Sequence, residues 1–285
     1  MPPISNNTEI FFHVGLGRAA STYLQYRLFP TLKGVKYIQR TRFHSLSKII
    51  ARSPENRYLV SREAGRRIES RLRECASYAP HGKVILVLRR HDQWIASHYR
   101  RYLKNGGSLP FEQFMDLTSS SPVLWGKDNL HYMQIISLAQ RYFNSTPLVL
   151  FQEELQSNPN SFIKRLTSYT GTSCNHENID LSPVHQSYSS KRLKVARYVG
   201  GLLFSATPLA HPHPAIHRAQ RRVKLMFCHL ILAFAHLIPE FLVGTDPLIP
   251  EGHLRRIREE TLSDWNQCVE FASSNSPTSD PISLI

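Results

Sequence analysis

The chain has 285 residues, 41% apolar and 10% aromatic, a composition that supports a sizeable buried core and excludes a disordered polyelectrolyte. A formal net charge of +14 points to an acidic partner: nucleic acid, anionic lipid, a polyanionic sugar or a phosphate-rich nucleotide. The cysteines, at 75, 174, 228 and 268, lie far apart without a C-x-x-C pair, which excludes a zinc ribbon and a disulfide framework and suits a reducing compartment.

The opening MPPISNNTE is polar and the apolar run after it is too short for a signal peptide, so a cytoplasmic protein is expected. EIFFHVG reads as a first strand and STYLQYRLFPTL as the helix after it. GVKYIQ and RYLVS read as second and third strands, and GRRIESRLRECASYA as a helix. KVILVLRR is a buried central strand, QWIASHYRRYL a helix, and 124–143 a longer helical region. TPLVLFQ is a fifth strand, and NSFIKRLTSYTG a helix closed by glycine. Strand–helix alternation of this kind implies a parallel sheet with helices on both faces. After about residue 172 the alternation stops. A basic helical segment, a proline-punctuated connection, an apolar stretch (223–244) and an amphipathic helix from Pro250 follow. The cleanest apolar part of that stretch is about a dozen residues, short of the ~20 that span a bilayer. Residues 225–238 read as a buried or lid helix, with a lipid-facing surface as the alternative because Arg218, Arg221, Arg222 and Lys224 precede them.

HVGLGRAASTYLQ (residues 13–25) has the pattern of a strand, a glycine turn and a helix, a common phosphate cradle. Gly15, Gly17 and Ala20 fit the dinucleotide pattern G-x-G-x-x-A, but no Asp or Glu lies between Glu9 and Glu55 to take a ribose hydroxyl. Arg40 and Arg42 suit a 2′-phosphate, which keeps an NADP-dependent oxidoreductase open. A nucleoside triphosphatase loop requires lysine before the hydroxyl pair, and here Ala20 precedes Ser21-Thr22. In VLRRHDQWIASHYRRYLKNGG (87–107), Arg89 at a strand end and Ser97 on the next helix can converge on one anion. A solvated basic helix is the other reading of that stretch.

Together the two stretches resemble the sulfotransferases that use 3′-phosphoadenosine 5′-phosphosulfate, particularly the bacterial ones. The family's loop reads G-L-P-K-T-G-T-T-x-L-Q, against Gly15-Leu16-Gly17-Arg18-Ala19-Ala20-Ser21-Thr22-Tyr23-Leu24-Gln25 here. Its second signature matches at Arg89, Ser97 and Tyr99. Looser matches are YLVSREA and VLFQEELQSNP, so the resemblance covers roughly residues 10–170. Four departures stand in the loop: Gly17 for proline, Arg18 for lysine, Ala20 for glycine and Ser21 for threonine. Alanine tolerates positive φ poorly, so a loop that needs it at Ala20 is strained.

The resemblance implies a three-layer α/β sandwich with a central parallel sheet, the P-loop NTPase-like sulfotransferase fold, and a helical C-terminal cap. One domain would span 1–285, with a core at 9–172, a cap at 173–271 and a flexible tail at 272–285. Backbone N–H groups of Gly17, Arg18, Ala19, Ala20, Ser21 and Thr22 would hold the 5′-phosphosulfate. Arg18 would stabilise the leaving phosphate, with hydroxyls from Ser21 and Thr22. Arg89 and Ser97 would hold the 3′-phosphate. Glu63 is the first candidate for the base, with His13, His44 and His98 as alternatives; its other reading is a helix-start carboxylate. Glu153 and Glu154 read as first-turn charges of the next helix. The chemistry requires no metal, and His211, His213 and His217 lie in a proline-rich connection without a fourth ligand. The expected partner is a small-molecule or glycan acceptor hydroxyl rather than nucleic acid. A basic anion-binding protein with a degenerate phosphate loop is the non-enzyme alternative.

Overall fold

The computed structural model describes residues 7–174, 187–204, 213–282 and 284. In chain order the elements begin with β1 (Glu9–His13), α1 (Ser21–Tyr23), β2 (Lys36–Ile38), α2 (Leu46–Ala51), β3 (Arg57–Ser61), α3 (Ile68–Tyr78) and β4 (Lys83–Leu88). They continue with α4 (His91–Lys104), α5 (Phe111–Phe114), the two-residue strands β5 (Met115–Asp116) and β6 (Trp125–Gly126), α6 (Tyr132–Phe143), β7 (Leu148–Phe151) and α7 (Gln152–Ser157). The last are α8 (Pro159–Thr170), α9 (Ser190–Leu203), α10 (Pro214–Phe234), α11 (Glu251–Glu260) and α12 (Leu262–Ser274). They form two compact units. Of the described residues, the first unit holds 7–90, 131–174 and 261–282, and the second 91–130, 187–204 and 213–260.

The first unit is built on a five-stranded sheet of order β2-β3-β1-β4-β7, parallel throughout. Residues Ile10 to Val14 are fully buried, which is why this strand reads as an unbroken apolar run rather than an alternating one. Successive side chains of a strand point to opposite faces. Phe11 meets Tyr169 of α8 at 6.1 Å, and Phe12 meets Phe143 of α6 at 5.7 Å, so α8 and α6 cover opposite faces of the sheet. The expected three-layer arrangement is thus present in this unit. Asp264 of α12 caps α6, its two carboxylate oxygens accepting the Tyr132 and Met133 N–H groups at 2.9 and 3.1 Å.

Glu153 and Glu154 have more specific work than charging a helix turn. Glu153 Oε1 accepts the Arg90 N–H at 2.9 Å. Glu154 is buried against Arg165 at 2.7 Å and also accepts from Ser161. Arg165 in turn donates to the carbonyls of Val149 and Ala272, which ties β7, α8 and α12 together. Burial pushes the Glu154 carboxyl up, and the Arg165 guanidinium opposes that shift.

The second unit is helical apart from the short β5–β6 ladder. Trp94 and His98 of α4 pack on Trp125, and Tyr99 packs on Phe111 and Phe114. Arg258 of α11 donates to the fully buried carboxylate of Asp92 at 2.7 Å, which joins α11 to the start of α4.

Three boundaries differ from the sequence reading. The helix expected over 124–143 begins only at Tyr132. Asn129 Oδ1 accepts the Gly126 N–H and closes a turn ahead of it. The helix expected from Pro250 breaks at Thr261 into α11 and α12, and the break leaves Leu262 exposed. The second of these helices belongs to the first unit, where Trp265 packs on Phe151. It continues to Ser274, and beyond it Asp280 pairs with Lys164 at 2.7 Å. The cap's residues 175–186 and 205–212, with His211 among them, lie outside the described residues.

Candidate functional site

Chain connections leave β1 toward β2 and leave β4 toward β7, in opposite directions along the sheet. In a doubly wound sheet the crevice outside the carboxyl ends of such a pair is where ligands bind. The loop after β1 (residues 14–20) and Arg89 after β4 both lie there. The loop continues the sheet pairing for one more step, with the Ala64 N–H donating to Gly15 O at 3.0 Å and the Gly17 N–H donating to Ala64 O at 2.8 Å. It then turns into a helical stretch that opens with α1, passes through π geometry over Leu24–Leu28 and closes at Thr31. The first N–H groups of any helix lack intrahelical acceptors, and here they face the switch point.

Two non-glycine residues of this loop take the left-handed conformation, Arg18 at φ 75° and Ala20 at φ 56°. The expected strain at Ala20 is therefore present, and Arg18 shares it, at about 1–2 kcal/mol each. Gly15 serves a neighbour rather than a phosphate: a Cβ there would lie 2.6 Å from His13 Nε2. Around Gly17 a Cβ would approach only Ala64 O, at 3.7 Å, so that part of the loop is open. Ser21 is buried, and its hydroxyl donates to Leu16 O at 3.1 Å, which corrects its expected role. The single hydroxyl proton ties the loop instead of facing a ligand. Thr22 is half-buried and Ala19 fully buried. Arg89 is half-buried and reaches back to the loop, its Nη1 lying 3.4 Å from Arg18 O. The Tyr132 hydroxyl fixes the backbone at this point by donating to Arg89 O at 2.9 Å.

The other half of the site stands at the ends of β1 and β3, where His13 and Ser61 are register partners. His13 Nδ1 and Ser61 Oγ are 2.9 Å apart. Gln25 Nε2 donates to Ser61 Oγ at 2.9 Å and also to Glu63 Oε1 at 2.9 Å. Arg40 Nη1 lies 3.4 Å from Glu63 Oε2. One buried amide, on the turn of helix just after the phosphate loop, thus orients the candidate base. Sequence reasoning quoted Gln25 in the loop pattern and did not assign it. The signal was a polar residue at helical spacing among buried ones, together with two polar strand ends in register. His13 is fully enclosed, and burial pushes its imidazole down to about 3, so it stays neutral and serves structure rather than acceptor deprotonation.

Ser97 and Tyr99 lie on α4 of the second unit, both buried. In the same unit His98 is held between Trp94 and Trp125, and in the first unit His44 is exposed. Arginines crowd the carboxyl edge of the first unit's sheet: Arg18 follows β1, Arg40 and Arg42 follow β2, Arg62, Arg66 and Arg67 follow β3, and Arg89 and Arg90 follow β4. Of these, Arg62 is neutralised by Glu74 at 3.2 Å and Arg40 by Glu63. The edge is strongly cationic. Among the described residues no three His, Cys, Asp or Glu groups are placed to hold a metal ion.

No protein-family model matches the chain, and neither does any curated protein. Solved structures similar to it include two sulfotransferases. One is a sulfotransferase from Alicyclobacillus acidocaldarius, 13% identical with a TM-score of 0.49 over 69% of this chain and 93% of that one. The other is mouse sulfotransferase SULT7A1 complexed with PAP, 13% identical with a TM-score of 0.39 over 62% of this chain and 63% of that one.

Proposed function

We propose that the chain transfers a sulfuryl group from 3′-phosphoadenosine 5′-phosphosulfate to an acceptor hydroxyl on a carbohydrate or glycolipid. The observation that carries this reading is the pairing, at one sheet edge, of a cationic phosphate loop with a carboxylate held by its own donor. Arg18 and Arg89 meet at the loop, and Glu63 stands two residues past the end of the neighbouring strand. Glu63 would take the proton of the acceptor hydroxyl as that oxygen forms its bond to sulfur. The bond between sulfur and the bridging oxygen breaks, and its electron pair leaves with adenosine 3′,5′-bisphosphate. Arg18 and the N–H groups of Ala20, Ser21 and Thr22 would stabilise the charge that develops on the leaving oxygen; those of Gly17 and Ala19, expected to take part, donate instead to Ala64 O and Leu16 O. Arg18 does so electrostatically, because a guanidinium gives up no proton at neutral pH. Arg89 would hold the 3′-phosphate. The open space beside Gly17 is compatible with a phosphate drawn close to the backbone; the Ser21 hydroxyl, committed to Leu16 O, is not assigned to the ligand.

Calorimetric titration with adenosine 3′,5′-bisphosphate, with 5′-AMP and NADP⁺ as controls, tests the reading. Binding that needs the 3′-phosphate is expected, followed by transfer of labelled sulfate to an acceptor panel. Tighter binding of NADP⁺, or no nucleotide binding at all, would sink the proposal.

A further inference from the structure

Among the described residues of the second unit, α10 is covered along one narrow side, where Cys228, Leu232 and, just past its end, Ala235 are buried. The opposite side is apolar and open. Ile216, Val223, Met226, Phe227, Leu230 and Phe234 are between 45% and 63% exposed. At 3.6 residues per turn these six fall within about 100° of arc, a single stripe along the helix. Phe241, 81% exposed, and Leu242 add further exposed apolar surface in the turn that follows. Scattered exposed apolar residues need no explanation, but a continuous stripe of this length marks a surface that something covers.

Charge indicates what covers it. From Leu181 to Pro239 the sequence holds eight Lys and Arg and no Asp or Glu. Exposed Arg222 stands on the same helix about 40° of arc outside the stripe, whereas Arg221 falls on the side of buried Cys228 and Leu232. Two copies of the chain joined stripe to stripe would bring the two flanking Arg222 side chains together without a counter-charge. An anionic headgroup layer over an apolar interior complements both features at once. Among the described residues no helix is long and apolar enough to cross a membrane, so the fitting geometry is a helix lying in the interface.

We propose that α10 and the turn after it form a docking surface for an anionic phospholipid bilayer. The proposal rests on the second unit alone and is independent of the transfer reaction. The test is co-sedimentation of the full chain with phosphatidylcholine vesicles, with and without phosphatidylglycerol, at low and high salt. Binding is expected only with phosphatidylglycerol and is expected to weaken as salt rises. The double substitution Phe227→Ser with Phe234→Ser should reduce the bound fraction by about tenfold or more. Arg222→Glu, which leaves the stripe intact, should weaken the preference for phosphatidylglycerol. All of these side chains are exposed, so each variant should keep the thermal melting curve of the parent. Equal binding to neutral vesicles, or undiminished binding of the Phe variant, overturns the proposal. So does a failure to bind vesicles in a chain that light scattering shows to be a dimer, since a second copy then covers the stripe.

Discussion

Mild acid should destabilise this protein through His13. An ordinary histidine titrates near 6.5, and burial pushes His13 down to about 3. Between those values the unfolded chain binds a proton that the folded chain refuses. Stability is therefore full above about pH 6.5 and falls as pH drops toward 3, by up to about 1.4 kcal/mol per pH unit. From pH 7 to pH 5 the loss from this residue alone is about 2 kcal/mol. The control is His13→Asn, which keeps an amide near the position of Nδ1, facing Ser61 Oγ, and does not titrate. The substitution has its own cost from lost packing on Phe29, 5.0 Å away, but that cost is the same at every pH. Urea unfolding followed by circular dichroism at pH 5, 6 and 7 on both proteins isolates the His13 contribution, because every other titrating group is common to the pair. The parent should lose about 2 kcal/mol more than the variant on going from pH 7 to pH 5. Parallel losses would refute the reasoning and mean that the imidazole accepts a proton in the folded state.

Three further outcomes are expected. Ala20→Gly relieves a left-handed alanine, a gain of about 1–2 kcal/mol less about 0.4–1 kcal/mol for the freer unfolded chain. The melting temperature should rise by a few degrees, and a fall would show that φ at this position carries no strain. Gln25→Leu removes the donor that Ser61 and Glu63 share. The Glu63 carboxylate loses the donor that orients it, so kcat should fall with KM for nucleotide unchanged. Arg165→Met strands a buried carboxylate and should cost about 3–5 kcal/mol in denaturant unfolding, most of which the double variant with Glu154→Leu should recover.

The sheet was legible because its strands are buried on both faces and so appear as short apolar runs between charges. RYLVS coincides with the whole of β3, and KVILVL with β4. The strand order was not legible, since parallel pairing leaves no local mark in the sequence. The break at Thr261 was hidden for a similar reason. The sequence from 251 to 274 has one continuous helical period, and what interrupts it is tertiary: Asp264 is committed to the start of α6 while Ile257 is buried in the other unit. The loop was legible as a phosphate cradle but not in its internal bonds. Nothing local shows that Ser21 donates inward or that Gly15 makes room for an imidazole, because both partners depend on the three-dimensional turn. Gln25 was overlooked because long-range side-chain bonding, here spanning 36 and 38 residues, has no sequence period.

The two halves of the candidate site depend on each other through β1. His13 is the last residue of that strand, and its side chain occupies the space that a Cβ on Gly15 would need. The imidazole's other nitrogen meets Ser61, which is where Gln25 bridges to Glu63. A residue larger than glycine at 15 therefore displaces the imidazole, and the displacement passes through Ser61 to the candidate base. The same strand end sets the path of the loop up to Arg18 and Ala20, whose left-handed backbones hold only because Leu16 and Ala19 are anchored in the core. Loop strain and base orientation consequently draw on one set of buried contacts, and a cavity at Leu16 or Phe29 should loosen both together. Substitutions at Arg42, Arg66 and Arg67, exposed along the sheet edge, leave those contacts intact, so they should weaken anion binding without disturbing the orientation of Glu63, whereas a change at Arg40 also removes a Glu63 partner.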